Sequence, residues 1–167
     1  VKLDQFENAV EAFEYSIAID EEYSSAYINI SDALIKLEKF DQAKKYLDRS
    51  LSLDGPSPEI YSCLGNVNFY LEDYSTSISF YQKSIKIDQM FKESYFGLGR
   101  SLSKLDKWFE AIHFFKKAYK IDNKNIEYVK SLAYAEFKVG NLVSSIDLYS
   151  KAVEMQPDDY KLSLDFS

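Results

Sequence analysis

The 167-residue chain is poor in cysteine, histidine and glycine, and each scarcity excludes a class of site. One cysteine, Cys63, and one histidine, His113, can form neither an internal disulfide nor a metal site that needs several such ligands. Gly65, Gly97 and Gly99 fall within segments predicted below to be helical, so they form no phosphate-binding loop. No apolar run reaches the length of about 18 residues that crosses a membrane, so no membrane insertion is expected.

Basic residues are also fewer than acidic ones: the chain has 20 Lys and Arg and 27 Asp and Glu, which gives a net charge of -7. The average field of such a surface repels a phosphate backbone, so nucleic acid is not expected as a partner. What the chain does contain is 46% hydrophobic and 16% aromatic residues, the composition of a folded domain. We expect a water-soluble domain, with the cytoplasm as the default compartment.

The sequence repeats itself at an offset of 34 residues without an insertion. Small residues recur in one column: Ala9, Ala43, Ser77, Ala111 and Ser145. Large apolar residues recur four positions later: Phe13, Leu47, Tyr81, Phe115 and Tyr149. Another apolar column holds Phe6, Phe40, Tyr74, Trp108 and Leu142. A small residue opposite a large one lets two helices approach closely, so these columns predict repeated helix crossings.

Apolar spacings of three and four within each unit predict amphipathic helices rather than strands. We predict the first helix of each unit at about 25–37, 58–71, 93–105 and 127–139, and a second helix closed by an aspartate. Ser57 followed by Pro58 is a helix-start signal, and Gly140 is the turn residue that most readily adopts a left-handed conformation. Each unit is therefore a helical hairpin that must stack on its neighbours to bury its apolar stripe.

These columns resemble the tetratricopeptide repeat, a 34-residue unit with the pattern W-x2-L-G-x2-Y, A-x3-F and a closing P. The matching residues are Tyr61, Leu64 and Gly65, Tyr95, Leu98 and Gly99, Ala9 and Phe13, Ala111 and Phe115, and Pro157. The resemblance implies an all-α, right-handed α-solenoid of stacked antiparallel hairpins. It predicts a single array over 1–167, with a partial repeat at 1–23, full repeats at 24–57, 58–91, 92–125 and 126–159, and the start of a further helix at 160–167.

Catalytic chemistry is not indicated. His113 has no nucleophile or acid marked out as its partner, and the carboxylates are scattered along helix faces. Cys63 is a packed or groove-facing thiol, and most aromatic residues occupy the periodic columns. We therefore expect no enzyme activity and no cofactor.

The resemblance implies that the first helices line a concave inner face, and residues outside the core columns then point into it. The candidate partner-binding residues are Asn66, Phe69, Phe96, Arg100, Lys104, Lys130, Tyr134, Phe137 and Lys138. Cations among aromatic side chains favour a polypeptide segment with acidic residues spaced among apolar ones. The leading hypothesis is thus a protein–protein interaction module.

Two other functions stay open at this point. The array could be a structural spacer or a self-assembling scaffold, or it could be the recruiting arm of a larger enzyme. Both ends of the chain fall within a hairpin, so we expect an excerpt of a longer array whose exposed ends favour self-association.

Overall fold

The computed structural model describes residues 2–156, and these form nine α-helices and no strand. The helices are α1 (Lys2–Ile19), α2 (Ser24–Lys36), α3 (Phe40–Asp54), α4 (Pro58–Tyr70), α5 (Tyr74–Ile87), α6 (Lys92–Lys104), α7 (Trp108–Ile121), α8 (Ile126–Lys138) and α9 (Leu142–Met155). The prediction of an all-α helical repeat is confirmed, and the predicted first helices begin and end within one residue of α2, α4, α6 and α8. Pro157 and the predicted helix start at 160–167 lie outside the described residues.

The chain forms two compact units, Val1–Ser94 and Tyr95–Ser167. In the first unit, α1 packs on α2, α2 on α3 and α4, α3 on α4, and α4 on α5. In the second unit, α7 packs on α8 and α8 on α9, and α6 contributes its residues from Tyr95 onward. Within each unit, helices that follow one another in the chain thus pack on one another, as a run of hairpins requires.

Small residues lie where the two helices of a hairpin cross. A methyl group added at Gly65 would meet the Tyr81 ring at 2.6 Å, and one at Gly99 would meet the Phe115 ring at the same distance. Both rings are buried and have little room to move. Glycine at positions 65 and 99 therefore allows α4 to pack closely against α5, and α6 against α7.

Serines in the small column add hydrogen bonds across the crossing. The Ser77 hydroxyl donates to the Gly65 carbonyl at 2.8 Å, and the Ser145 hydroxyl donates to the Ala133 carbonyl at 3.0 Å. Both serines are buried, so the bond satisfies a hydroxyl that would otherwise be costly to bury. Serine is about as small as alanine, so both fit in this column, and serine adds a hydrogen bond between the two helices of the hairpin.

The helix termini follow the predicted signals, with one addition. The Ser57 hydroxyl accepts the Ile60 amide at 3.2 Å, and Pro58 occupies the first turn of α4. Gly140 is left-handed at φ 82°, as expected. The same turn position in the other hairpins is left-handed as well, although it holds a residue with a side chain: Glu38 at φ 58°, Glu72 at 61° and Asp106 at 58°. The turn between the two helices requires this left-handed conformation, and a residue with a Cβ atom adopts it at a steric cost that glycine avoids.

Candidate functional site

A pocket of about 580 Å³ lies in the second unit between α6 and α8, beside the start of α7. We call it the α6–α8 pocket. It is lined by Arg100, Ser103, Lys104, Asp106, Trp108, Phe115, Lys130, Ser131, Tyr134 and Tyr149. It therefore combines cationic side chains with aromatic walls inside one compact unit.

Three cations, Arg100, Lys104 and Lys130, line this pocket against one carboxylate, Asp106. The Arg100 guanidinium carbon lies 5.9 Å from the ring centre of Phe96, within the range of a cation–π contact. Phe96 in turn packs on Tyr128 with ring centres 4.7 Å apart, so the residue that supports Arg100 is itself held in place. The local charge is positive although the whole chain is acidic.

The aromatic wall is formed by Trp108 and Tyr134, whose rings meet edge to face with centres 5.7 Å apart. The Trp108 indole N–H donates to the Asp106 carboxylate at 3.2 Å, which fixes the ring at the end of the turn. Lys138 places its ammonium 5.4 Å from the Trp108 ring centre. Tyr134 stays 48% exposed, so much of its surface is open to a ligand.

Seven of the nine predicted site residues lie in the second unit. Arg100, Lys104, Lys130 and Tyr134 line the pocket, while Lys138 and Phe96 contact its edges. Phe137 is exposed on α8 without lining the pocket. Sequence reasoning missed Trp108, Phe115 and Tyr149 as pocket residues. It had assigned all three to core columns, and no signal in the periodicity distinguishes a core ring from one that also borders a pocket.

Asn66 and Phe69 belong to the first unit. The Asn66 side-chain oxygen accepts the Tyr81 hydroxyl at 2.7 Å, so this amide already has a partner in α5. Phe69 is buried, 7% exposed, and packs edge-on against Tyr70 and Tyr74. It therefore offers little surface to a ligand, and we leave it out of the site that we propose.

The two residues with reactive side chains, Cys63 and His113, do not lie in the α6–α8 pocket. Cys63 is half-buried against the core of the first unit, and burial, followed by the nearby Asp32 and Glu59 charges, raises its pKa to about 12. His113 is exposed and lies edge-on to Phe114. Within residues 2–156, no cluster of three His, Cys, Asp or Glu side chains is arranged to hold a metal ion. No helix in that range has the length and apolarity needed to span a membrane.

Sequence models described as tetratricopeptide repeat match residues 1–66 in one case and residues 58–89 and 92–125 in another. The search of curated proteins found no significant match. The chain belongs to the tetratricopeptide repeat family. Arrays of this family are generally non-catalytic protein-interaction scaffolds.

Solved structures agree with this assignment at the level of fold. TTC0263, a TPR protein of Thermus thermophilus, is 16% identical with a TM-score of 0.85, covering 99% of this chain and 90% of its own. YrrB, described as a TPR protein with an unusual peptide-binding site, is 19% identical with a TM-score of 0.69, covering 98% and 84%. MamA is 21% identical with a TM-score of 0.74, covering 93% and 91%. Identities this low show a shared fold and carry no information about a ligand of this chain.

Proposed function

We propose that this protein is a protein-interaction module that binds a polypeptide segment in the α6–α8 pocket, and that the segment carries acidic residues among apolar ones. The observation that carries the proposal is the gathering of Arg100, Lys104 and Lys130 beside Trp108 and Tyr134 in an acidic chain. Such a concentration of positive charge attracts the partner's carboxylates, while the rings supply apolar contact area.

The two kinds of side chain have different tasks in this site. Cations at the rim of a pocket mainly raise the association rate and set the orientation of the segment. Aromatic side chains contribute more of the affinity, because burying their surface removes apolar area from water. A similar architecture that binds a peptide, YrrB, supports the general mode of recognition and leaves the ligand of this chain open.

The chain's only tryptophan, Trp108, lies in the pocket and provides the measurement. A short peptide in which aspartate alternates with leucine and phenylalanine is titrated while Trp108 fluorescence is recorded. We expect saturable binding that weakens as salt is raised. A peptide with lysine in place of aspartate should bind much more weakly, since it meets like charge.

Matched variants locate the site. Arg100→Glu with Lys130→Glu should weaken binding about tenfold or more and flatten its salt dependence. Lys44→Glu with Lys45→Glu makes the same charge change on α3, in the other unit, and should leave binding within about twofold. If both double variants bind like the wild type, the pocket is not the site, and the spacer hypothesis is favoured.

A further inference from the structure

A pair of aromatic rings recurs at the same place in three of the hairpins, at positions that do not line the α6–α8 pocket. The pairs and their ring-centre distances are Tyr27 with Tyr46 at 6.2 Å, Tyr61 with Phe80 at 6.0 Å, and Tyr95 with Phe114 at 6.5 Å. In two of them a lysine three residues after the second ring covers both rings. Lys83 lies 5.6 and 5.0 Å from one pair, and Lys117 lies 5.3 and 5.7 Å from the next.

The last hairpin lacks both rings. The corresponding positions hold Val129 and Leu148, and the corresponding lysine, Lys151, lies 4.8 Å from the ring centre of Tyr119 and donates to its hydroxyl. Lys151 therefore contacts one aromatic ring, that of Tyr119, whereas Lys83 and Lys117 each contact two. The last hairpin has an aromatic deficit at this place.

A cavity of about 910 Å³ in the second unit borders Leu148, one of these two positions, together with Tyr119 and Lys151. Tyr119, Leu132, Leu142, Val143 and Leu148 provide its apolar lining, and Lys151 borders it. Val143 is 77% exposed, so the cavity opens directly to the surface. An aromatic side chain from outside would find apolar contacts on several sides and an ammonium group next to it.

The charges around the cavity favour an acidic residue beside the incoming ring. Lys116 and Lys151 line it against one carboxylate, Asp147. Lys116 is paired with Glu136, whose carboxylate lies 2.7 Å from its ammonium, whereas the hydrogen bond of Lys151 goes to the Tyr119 hydroxyl. Lys151 is thus the cation that a partner's carboxylate would meet.

The chain itself presents such a group. Phe109 is 77% exposed, the most exposed aromatic side chain among the described residues, and the exposed acidic residue Glu110 follows it. At the same place in the repeat, the first unit carries the polar residues Asp41 and Ser75. Nothing in the packing of a hairpin therefore requires an aromatic ring there, so the exposed Phe109 ring is available for a contact with another molecule.

We propose that this cavity is a self-association site, in which Phe109 of a second copy of the chain inserts between Tyr119 and Leu148 while the second copy's Glu110 faces Lys151. The inserted ring supplies the aromatic group that the last hairpin lacks. This site is separate from the α6–α8 pocket, so the two proposals can fail independently.

The test is sedimentation-velocity ultracentrifugation of the whole chain over a concentration series, at a salt concentration that screens the net charge of -7. The wild type should self-associate reversibly. Phe109→Ala removes the inserted ring, and Leu148→Phe fills the cavity from within, as in the other hairpins. Each variant alone should associate at least tenfold more weakly, with circular dichroism confirming that it is folded.

The decisive measurement is a mixture of the two variants. The Phe109→Ala chain keeps an open cavity and the Leu148→Phe chain keeps its exposed ring, so the mixture should associate much more strongly than either variant alone. If Leu148→Phe does not fold, Val143→Asp at the exposed rim replaces it in the same mixture. Arg100→Glu with Lys130→Glu should leave self-association unchanged.

A wild type that stays monomeric throughout the concentration series would overturn the proposal. So would association that survives in both single variants, or a mixture of the two variants that does not associate.

Discussion

Glu136 on α8 is the buried acid among the described residues of the second unit, and its substitution tests how the hairpins are held together. Its side chain is 1% exposed, its carboxylate lies 2.7 Å from the Lys116 ammonium, and it accepts the Asn141 amide at 2.6 Å. Burial opposes its ionisation, but the hydrogen bonds from Lys116 and Asn141, the Lys116 charge and a hydrogen bond from Ser144 outweigh burial and lower its pKa. The group is therefore ionised at neutral pH.

The equivalent positions of the first and third full repeats hold Leu34 and Leu102, which are also buried. The site thus accepts an apolar residue, and Glu136→Leu should change the free energy of unfolding by less than about 1 kcal/mol or raise it. Lys116→Met instead leaves the carboxylate buried without its cation. Removing one partner of a fully buried pair costs about 3 to 5 kcal/mol. Lys116 is 58% exposed, so we reduce the expected loss to about 1 to 3 kcal/mol.

Urea unfolding followed by Trp108 fluorescence reports on the unit that contains Glu136. The double variant should lie near Glu136→Leu, because the methionine that replaces Lys116 would then face no buried charge. The pH dependence has a defined sign. A carboxyl group whose folded pKa is lowered stabilises the fold above its ordinary pKa of 4.5 and loses that contribution as the pH falls through the folded value. The difference between the wild type and Lys116→Met should therefore be largest at neutral pH and shrink on acidification.

Two results would refute this reasoning. One is a Glu136→Leu variant that is as unstable as Lys116→Met, which would mean that the site needs its charge. The other is a difference between the wild type and Lys116→Met that does not change between neutral pH and a pH well below 4.5.

Four further outcomes are expected. Gly65→Ala should lower stability by about 1 to 2 kcal/mol in thermal or urea unfolding, because the clash with the buried Tyr81 ring exceeds the helix-propensity gain of about 1 kcal/mol; a neutral result would contradict the crossing. Glu72→Gly should raise stability by about 0.5 kcal/mol by relieving its left-handed backbone, and a loss would show that its side chain matters more than its φ of 61°. Ser57→Ala should cost about 1 kcal/mol through the lost cap, while Ser57→Gly should cost only a few tenths. Cys63, with a pKa raised to about 12, should react with iodoacetamide at pH 8 at least about a hundredfold more slowly than a small thiol, unless the protein is first unfolded.

The sequence alone determined the helical hairpins and, to within one residue, the limits of the first helix of each full repeat. A period of 34 residues with small and large columns in register leaves one solution, because each hairpin can bury its stripe only on a neighbour. Together with the resemblance to the family, it also indicated four residues that line the pocket, Arg100, Lys104, Lys130 and Tyr134, because residues outside the core columns of a first helix face away from the packed side.

Only the tertiary structure decided what those residues meet. Trp108 and Phe69 differ from expectation in opposite directions: Trp108 was assigned to a core column yet borders the pocket, and Phe69 was assigned to the surface yet is buried. The sequence also did not indicate the left-handed acidic residues of the turns, Glu38, Glu72 and Asp106, or the cavity beside Leu148. Periodicity specifies which side of its own helix a residue occupies. The exposure of a residue depends on how far the neighbouring helices cover that side. The extent of this cover depends on the volumes of side chains in other helices, which the repeat columns do not specify.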